Sequence, residues 1–169
     1  MKIAVVSDIH DNWANLDRFS RQLNELEEIE HIVVCGDIAS PETLRKMGVE
    51  MPEKTIHAVC GNVDGDIGGH EEVAKDLVNI RFYGQRGSLE LNKKKIGFTH
   101  RPSEAREIAK GGDFDIVFYG HTHQPWEERQ GECILLNPGE LTYFFYTPTY
   151  AIYDLIDMKA ELVLLNKPN

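Results

Sequence analysis

The chain has 169 residues, 41% hydrophobic and 27% charged, which suits one soluble domain spanning 1–169 with a buried core of its own. Eighteen basic against 28 acidic residues give a net charge of −10, and this argues against extended nucleic-acid binding, which needs clustered Lys and Arg to displace counterions. No apolar run approaches the ~20 residues of a membrane span, and Met1-Lys2-Ile3 leads directly into a strand-like run, so neither a membrane segment nor a signal peptide is expected. Cys35, Cys60 and Cys133 lie in or beside apolar runs and are odd in number. They read as buried reduced thiols of a cytoplasmic protein.

In chain order, Ile3–Val6 is the kind of apolar run expected of a strand covered on both faces. Leu16, Phe19, Leu23 and Leu26 recur at three- and four-residue spacing and predict a helix, with Asn12 or Asn15 as its N-cap. Strands at His31–Cys35 and Thr55–Cys60 enclose a short helix near Pro41–Lys46. This alternation predicts right-handed crossovers and a largely parallel sheet. Arg81–Tyr83, Ser88–Leu91 and Lys95–Thr99 are short and closely spaced, which predicts antiparallel pairing among them. A helix over about Ser103–Lys110 precedes a strand at Asp115–Tyr119. Cys133–Leu136, Tyr150–Leu155 and Leu162–Leu165 are further strands, and Gly and Pro in the connections predict tight turns. The sum is an α/β chain with mixed sheets.

What ends the apolar runs carries the chemistry. Val5-Val6-Ser7 ends in Asp8, with His10 two residues on; Val33-Val34-Cys35-Gly36 ends in Asp37; Ala58-Val59-Cys60-Gly61 ends in Asn62. Ile96-Gly97-Phe98-Thr99 ends in His100, and Val117-Phe118-Tyr119-Gly120 ends in His121, with His123 beyond. Any one of these has a plain alternative, such as an Asp that only caps the next helix. In open α/β sheets, however, ligands collect beyond the carboxyl ends of strands, and parallel strands would bring all seven groups to one rim. The pairs Asp8-Ile9-His10 and His121-Thr122-His123 would point the same way if locally extended. Glycine at 36, 61 and 120 permits a sharp turn or a close approach before each ligand residue. Two Asp, one Asn and four His exceed the needs of one tetrahedral zinc and suit a pair of divalent cations with N and O ligands.

Asp8-Ile9-His10, Gly36-Asp37, Gly61-Asn62-Val63-Asp64, His100 and Gly120-His121-Thr122-His123 resemble, in order and spacing, the five sequence blocks of the calcineurin-like metallophosphoesterases. The short length and Asn137-Pro138-Gly139 are most similar to the small, stand-alone phosphodiesterases of that family. The resemblance implies a four-layer αββα sandwich of two mixed sheets flanked by helices. It also implies that Asp8, His10 and His123 hold one metal, that Asn62, His100 and His121 hold the other, and that Asp37 bridges them. Manganese is the foremost expectation, with Ni, Fe, Zn, Co or Mg as alternatives. The implied reaction is phosphodiester hydrolysis by a hydroxide shared between the cations, with Asn62 offsetting charge on the phosphoryl oxygens.

Two positions depart from the family pattern. Val63 stands where many relatives carry a His able to protonate the leaving group, and Arg101-Pro102 follows His100 where relatives often have Gly-His. Arg101 and Asn12 are candidate contacts to substrate oxygens; a surface arginine and a helix cap are their plainer readings. Asp64 or Asp11 is expected to orient the imidazoles. His31 and His57 read as structural, whereas His70, in the Gly65–Gly69 loop region where a flexible loop would bring it near the site, is a candidate substitute for the missing acid. Trp13 either walls the pocket or staples the first helix. The partner expected is a small phosphodiester, with homo-oligomerisation left open. The competing readings are a protein-binding scaffold of the retromer-subunit type, with Tyr143–Tyr146 as interface or core, and a phosphomonoesterase or nucleotide hydrolase on the same site.

Overall fold

The computed structural model describes residues 1–165. Its first half runs β1 (Lys2–Val6), α1 (Trp13–Asn24), β2 (Ile29–Cys35), α2 (Pro41–Glu50), β3 (Thr55–Val59), α3 (Ile67–Asp76) and β4 (Ile80–Phe82). The second half runs β5 (Arg86–Leu91), β6 (Lys94–Thr99), α4 (Pro102–Lys110), β7 (Ile116–Phe118), β8 (Trp126–Gln130), β9 (Cys133–Asn137), β10 (Thr149–Asp154) and β11 (Lys159–Leu164). These strands make a six-stranded sheet, β11-β10-β1-β2-β3-β4, and a five-stranded sheet, β5-β6-β7-β9-β8. Strands β1 to β4 are parallel and so are β6, β7 and β9, while β10, β11, β5 and β8 pair antiparallel with their neighbours. Both sheets are therefore mixed, as the sequence predicts.

Alternation along β1 shows how the layers form. Ile3 and Val5 point into a core shared between the sheets, with Val33, Val59, Ile96, Phe98, Ile116 and Phe118. Ala4 and Val6 point the other way, to a core under α1 and α2 that includes Leu16, Phe19, Leu23, Leu44 and Met47. On the opposite side, Ala105 and Ala109 of α4 close over Val117, Cys133 and Leu135. The order is helices, sheet, sheet, helix, which is the αββα sandwich. Each fully buried Leu, Ile or Phe contributes about 2 kcal/mol, so the middle strands, apolar on both faces, are fixed in register by burial.

Asn12 is the N-cap of α1, its side chain accepting from the Asn15 N–H at 3.1 Å; Leu26 lies past the helix end and packs on the core only in part. Three local expectations are corrected. Arg81–Tyr83 does not pair antiparallel with its successors: β4 joins β3 in parallel, reached through α3. Helix α3 stands where the sequence predicts a loop. Its Gly68-Gly69 start has low helix propensity, and the helix is held by its Asp66 cap and by burial of His70 and Val73. The edge strand β8, Trp-Glu-Glu-Arg-Gln, has no apolar alternation to announce it. By contrast, Ser88–Leu91 and Lys95–Thr99 do pair as expected, across a two-residue turn in which Asn92 and Lys93 both have positive φ.

Candidate metal centre

The carboxyl ends of β1, β2, β3, β6 and β7 meet at one rim, and backbone hydrogen bonds stitch the turns beyond them together. The Asp8 N–H donates to the Gly36 carbonyl (3.1 Å), the Ile9 and His10 N–H groups to Asp37 O (2.9 and 3.0 Å), and the Gly120 N–H to His100 O (3.0 Å). Asp8, His10, Asp37, His121 and His123 have φ of +54°, +47°, +50°, +73° and +61°. The two X-x-X pairs are thus not extended: the chain turns sharply at each polar residue. Left-handed backbone in non-glycine residues costs on the order of 1–3 kcal/mol apiece and concentrates at functional sites. Gly36, at φ +88°, needs its missing side chain for the turn, and a Cβ on Gly61 would lie 2.1 Å from Asp37 Oδ1.

One group comprises Asp8, His10, Asp37 and His123, each offering an oxygen or nitrogen within 4.8 Å of the others. His123 Nε2 is 3.4 Å and His10 Nε2 is 3.9 Å from Asp8 Oδ1, and His10 Nε2 is 3.5 Å from Asp37 Oδ2. The two imidazoles stack with centroids 5.2 Å apart. Asp8 Oδ1 and His10 Nε2 are buried without a hydrogen-bond partner among the described residues. An orphaned acceptor and an orphaned imidazole nitrogen inside a cluster of N and O donors fit a divalent cation.

A second group centres on His100. Its Nε2 is 3.1 Å from Asn62 Oδ1, 3.2 Å from His121 Nδ1 and 3.3 Å from Asp37 Oδ1. Its Nδ1 lies 2.8 Å from the Cys35 carbonyl, so the proton sits on Nδ1 and Nε2 faces the cluster. His121 and His123 diverge: the first joins His100, the second Asp8. Burial pushes the Asp8 carboxyl up to about 6 against the pull of His100 and His123. Burial would lower His100, but the hydrogen bond and charge of Asp37 outweigh it and hold the imidazole above its usual value. Burial opposes ionisation of Asp37 too, and there the His100 hydrogen bond and charge with the Val63 N–H prevail, so its carboxyl lies below the usual range. Burial lowers His10 and His121.

The groups that orient these ligands are not the ones expected. Asp11 accepts from Ser40 Oγ at 2.6 Å and Thr43 Oγ1 at 2.5 Å. Asp64, buried, accepts from the Ala39 N–H at 2.5 Å and the Gly61 N–H at 2.6 Å. Neither bonds an imidazole; Asp64 instead pins the two loops that carry Asp37 and Asn62. Glu140, which sequence reasoning missed, takes the orienting role: fully buried, its Oε2 lies 2.5 Å from His123 Nδ1. The signal was present, since Cys133–Leu136 is a sixth apolar run ending in polar residues, Asn137-Pro138-Gly139-Glu140. Asn137 donates to the Gly120 carbonyl (2.8 Å) and Thr122 Oγ1 (3.0 Å), fixing the loop of His121 and His123.

Other candidates fall apart from the cluster or at its border. His70 is not in a mobile loop; it is fully buried in α3 and stacked on Phe82 at 5.5 Å. His31 Nδ1 lies 3.1 Å from His57 Nε2, and His57 Nδ1 3.0 Å from the Tyr83 hydroxyl, a structural chain. Trp13 donates to Thr43 Oγ1 at 2.7 Å and ties α1 to α2. Arg101 is exposed and lines a 140 Å³ cleft with Asn62, Gln85, His100 and Glu104. Val63 is 41% exposed, leaving its side-chain position open to solvent. Tyr143–Tyr146 is not core: all four residues are exposed, and the rings of Phe144 and Phe145 stand beside His10 and His123.

The calcineurin-like phosphoesterase superfamily domain matches residues 1–158. Phosphodiesterase MJ0936 of Methanocaldococcus jannaschii is 32% identical over 157 residues, covering 91% of this chain and 93% of that protein. A solved archaeal phosphodiesterase superposes with a TM-score of 0.87 at 30% identity, covering 97% of this chain and 99% of its own. A single mutant of Vps29 from Entamoeba histolytica superposes at 0.68 with 21% identity, covering 98% and 100%, a likeness of fold alone. Among the described residues, no helix is long and apolar enough to cross a membrane. By the family match over residues 1–158, the chain belongs to the calcineurin-like phosphoesterase superfamily and is a hydrolase of phosphoric esters.

Proposed function

We propose that the protein is a phosphodiesterase acting on small phosphodiesters with a pair of divalent cations, manganese foremost. The observation that carries this reading is the division of Asp37 between the two groups: Oδ2 faces His10 Nε2 at 3.5 Å while Oδ1 faces His100 Nε2 at 3.3 Å. Asp8, His10 and His123 would hold one cation, Asn62, His100 and His121 the other, and Asp37 both. When bound, such a pair neutralises phosphoryl oxygens and lowers the pKa of water at the site toward neutrality.

The chain's own residues supply position. Glu140 and the Cys35 carbonyl fix the ring orientations of His123 and His100, and the Val63 N–H, 3.0 Å from Asp37 Oδ1, fixes the shared carboxylate. The Asn62 amide and the Arg101 guanidinium border one cleft and are assigned to the non-bridging oxygens of the substrate. The Asn12 oxygen already caps α1, which leaves only its amide N–H₂ for a substrate. A thiol nucleophile is disfavoured, because burial pushes Cys35 and Cys60 above the ordinary cysteine value. With Val63 in place of an acid, esters with good leaving groups are the preferred substrates.

Manganese-stimulated hydrolysis of bis(4-nitrophenyl) phosphate, abolished by chelator and restored by metal, is the expected result. Stoichiometric metal binding without hydrolysis of any phosphodiester would contradict it and favour the scaffold reading. Preferential cleavage of a phosphomonoester would favour the monoesterase reading instead.

A further inference from the structure

Tyr143, Phe144, Phe145 and Tyr146 lie between β9 and β10 and belong to none of the hydrophobic clusters. Phe144 is 62% and Phe145 72% exposed, so packing of the fold does not account for two large apolar rings here. Both rings nevertheless reach the site. Phe144 has its centroid 5.2 Å from His10 and 6.1 Å from His123, within 27° of parallel to the latter. Phe145 stands edge-on to His123 at 5.1 Å and 88°. The segment is anchored at its backbone: the Phe145 and Tyr146 N–H groups donate to Glu140 Oε1 at 2.8 and 2.6 Å, and the Phe144 N–H to Thr142 Oγ1 at 3.4 Å. Its anchor, the Glu140 carboxylate, is itself fully buried against His123.

Aromatic rings held at the rim of a phosphoryl site, wet on one side and braced by imidazoles on the other, suit face-to-face or edge contact with a planar ring. We infer that Phe144 and Phe145 form a stacking platform for one esterifying group of the substrate, so that the preferred diesters carry an aryl or nucleobase ring rather than an alkyl group. The inference rests on the phosphodiesterase reading above and narrows it. The net charge of −10 opposes a long polyanion, so the ring belongs to a small diester.

The test uses three diesters that share 4-nitrophenol as leaving group and differ in the second ester: methyl, phenyl and thymidine 5′. On manganese-loaded protein, kcat/KM for the phenyl or thymidine ester is expected to exceed that for the methyl ester by about fivefold or more, the lower range of ring stacking. The two ring esters distinguish a simple aryl group from a nucleobase. Phe144→Leu and Phe145→Leu, which keep bulk and lose the aromatic face, are expected to bring the ratio toward one; Phe144→Tyr is expected to keep it. In parallel, saturation-transfer NMR on chelator-treated protein reads contact with the ring protons of phenyl phosphate and thymidine 5′-phosphate, a signal expected to weaken in the Leu variants. Equal kcat/KM across the three esters, or a ring preference and ring signal that survive both Leu substitutions, overturns the platform. Failure to cleave any of the three overturns the phosphodiesterase reading instead.

Discussion

Glu140 holds His123 and the aromatic segment with its two oxygens: Oε2 lies 2.5 Å from His123 Nδ1, and Oε1 accepts from the backbone of Phe145 and Tyr146. Thr142 Oγ1 also donates to Oε2. Burial opposes the charge, yet these four hydrogen bonds together hold the carboxyl below its usual range, so the group is an anion that fixes the proton of His123 on Nδ1 and turns Nε2 toward Asp8. Glu140→Gln keeps the size and removes the charge. Manganese affinity by calorimetry is expected to fall about 10–100-fold; an unchanged affinity would remove Glu140 from the orienting role.

Asp37 and Asp64 are both buried carboxylates, and their variants should fail differently. Asp37→Ala deletes the oxygens between the two groups and is expected to lose most bound metal, by elemental analysis, and all activity. Asp64→Ala leaves the Ala39 and Gly61 N–H groups without their acceptor, at a cost of roughly 2–4 kcal/mol. It is expected to melt earlier yet bind metal at saturation. Near-stoichiometric metal in Asp37→Ala would contradict the shared-carboxylate assignment.

Val63 offers a second test of chemistry. Its backbone N–H serves Asp37 at 3.0 Å whatever its side chain, and the side chain is 41% exposed, so histidine fits there without disturbing the core. Val63→His is expected to raise turnover of alkyl leaving groups by about tenfold or more and to change nitrophenyl esters far less. Equal responses of the two substrate types would show that leaving-group protonation is not what Val63 lacks.

What the sequence displayed was determined by burial. Apolar runs on doubly covered strands stop abruptly at Asp8, Asp37, Asn62, His100 and His121, and parallel pairing of β1 to β3 and of β6 with β7 carries those stops to one rim. What it concealed depends on tertiary context. Helix α3 buries only His70 and Val73, too few apolar positions to mark a period. Once that helix is missed, β4 loses the crossover that makes it parallel. Glu140 looks like any loop carboxylate until β9 is seen to run beside β7. No residue pattern announces that Asp8 and His10 adopt positive φ, because the backbone hydrogen bonds from Asp8, Ile9 and His10 to Gly36 and Asp37 impose it.

Away from the site, His57 makes stability depend on pH. Burial, aided by neighbouring His31 and Arg81, lowers its pKa to about 4, while Tyr83 and His31 share its hydrogen bonds. An unfolded chain takes up this proton near pH 6.5 and the folded chain only near pH 4. The contribution of neutral His57 is therefore complete above pH 6.5 and falls away as pH drops from 6.5 to 4. Asp8 acts in the opposite direction in metal-free protein, retaining its proton up to about pH 6, but does so equally in both proteins compared. His57→Gln is expected to lose less stability than the parent over this interval, by on the order of 2 kcal/mol, in chemical denaturation at each pH. Parallel curves would contradict the assignment.

The most direct measurement is an anomalous-difference map from crystals grown with manganese. The expected map has two peaks, one on either side of the Asp37 carboxylate, the first among Asp8, His10 and His123 and the second among Asn62, His100 and His121. A single peak, or peaks that leave Asp37 uncoordinated, would contradict the shared dinuclear site.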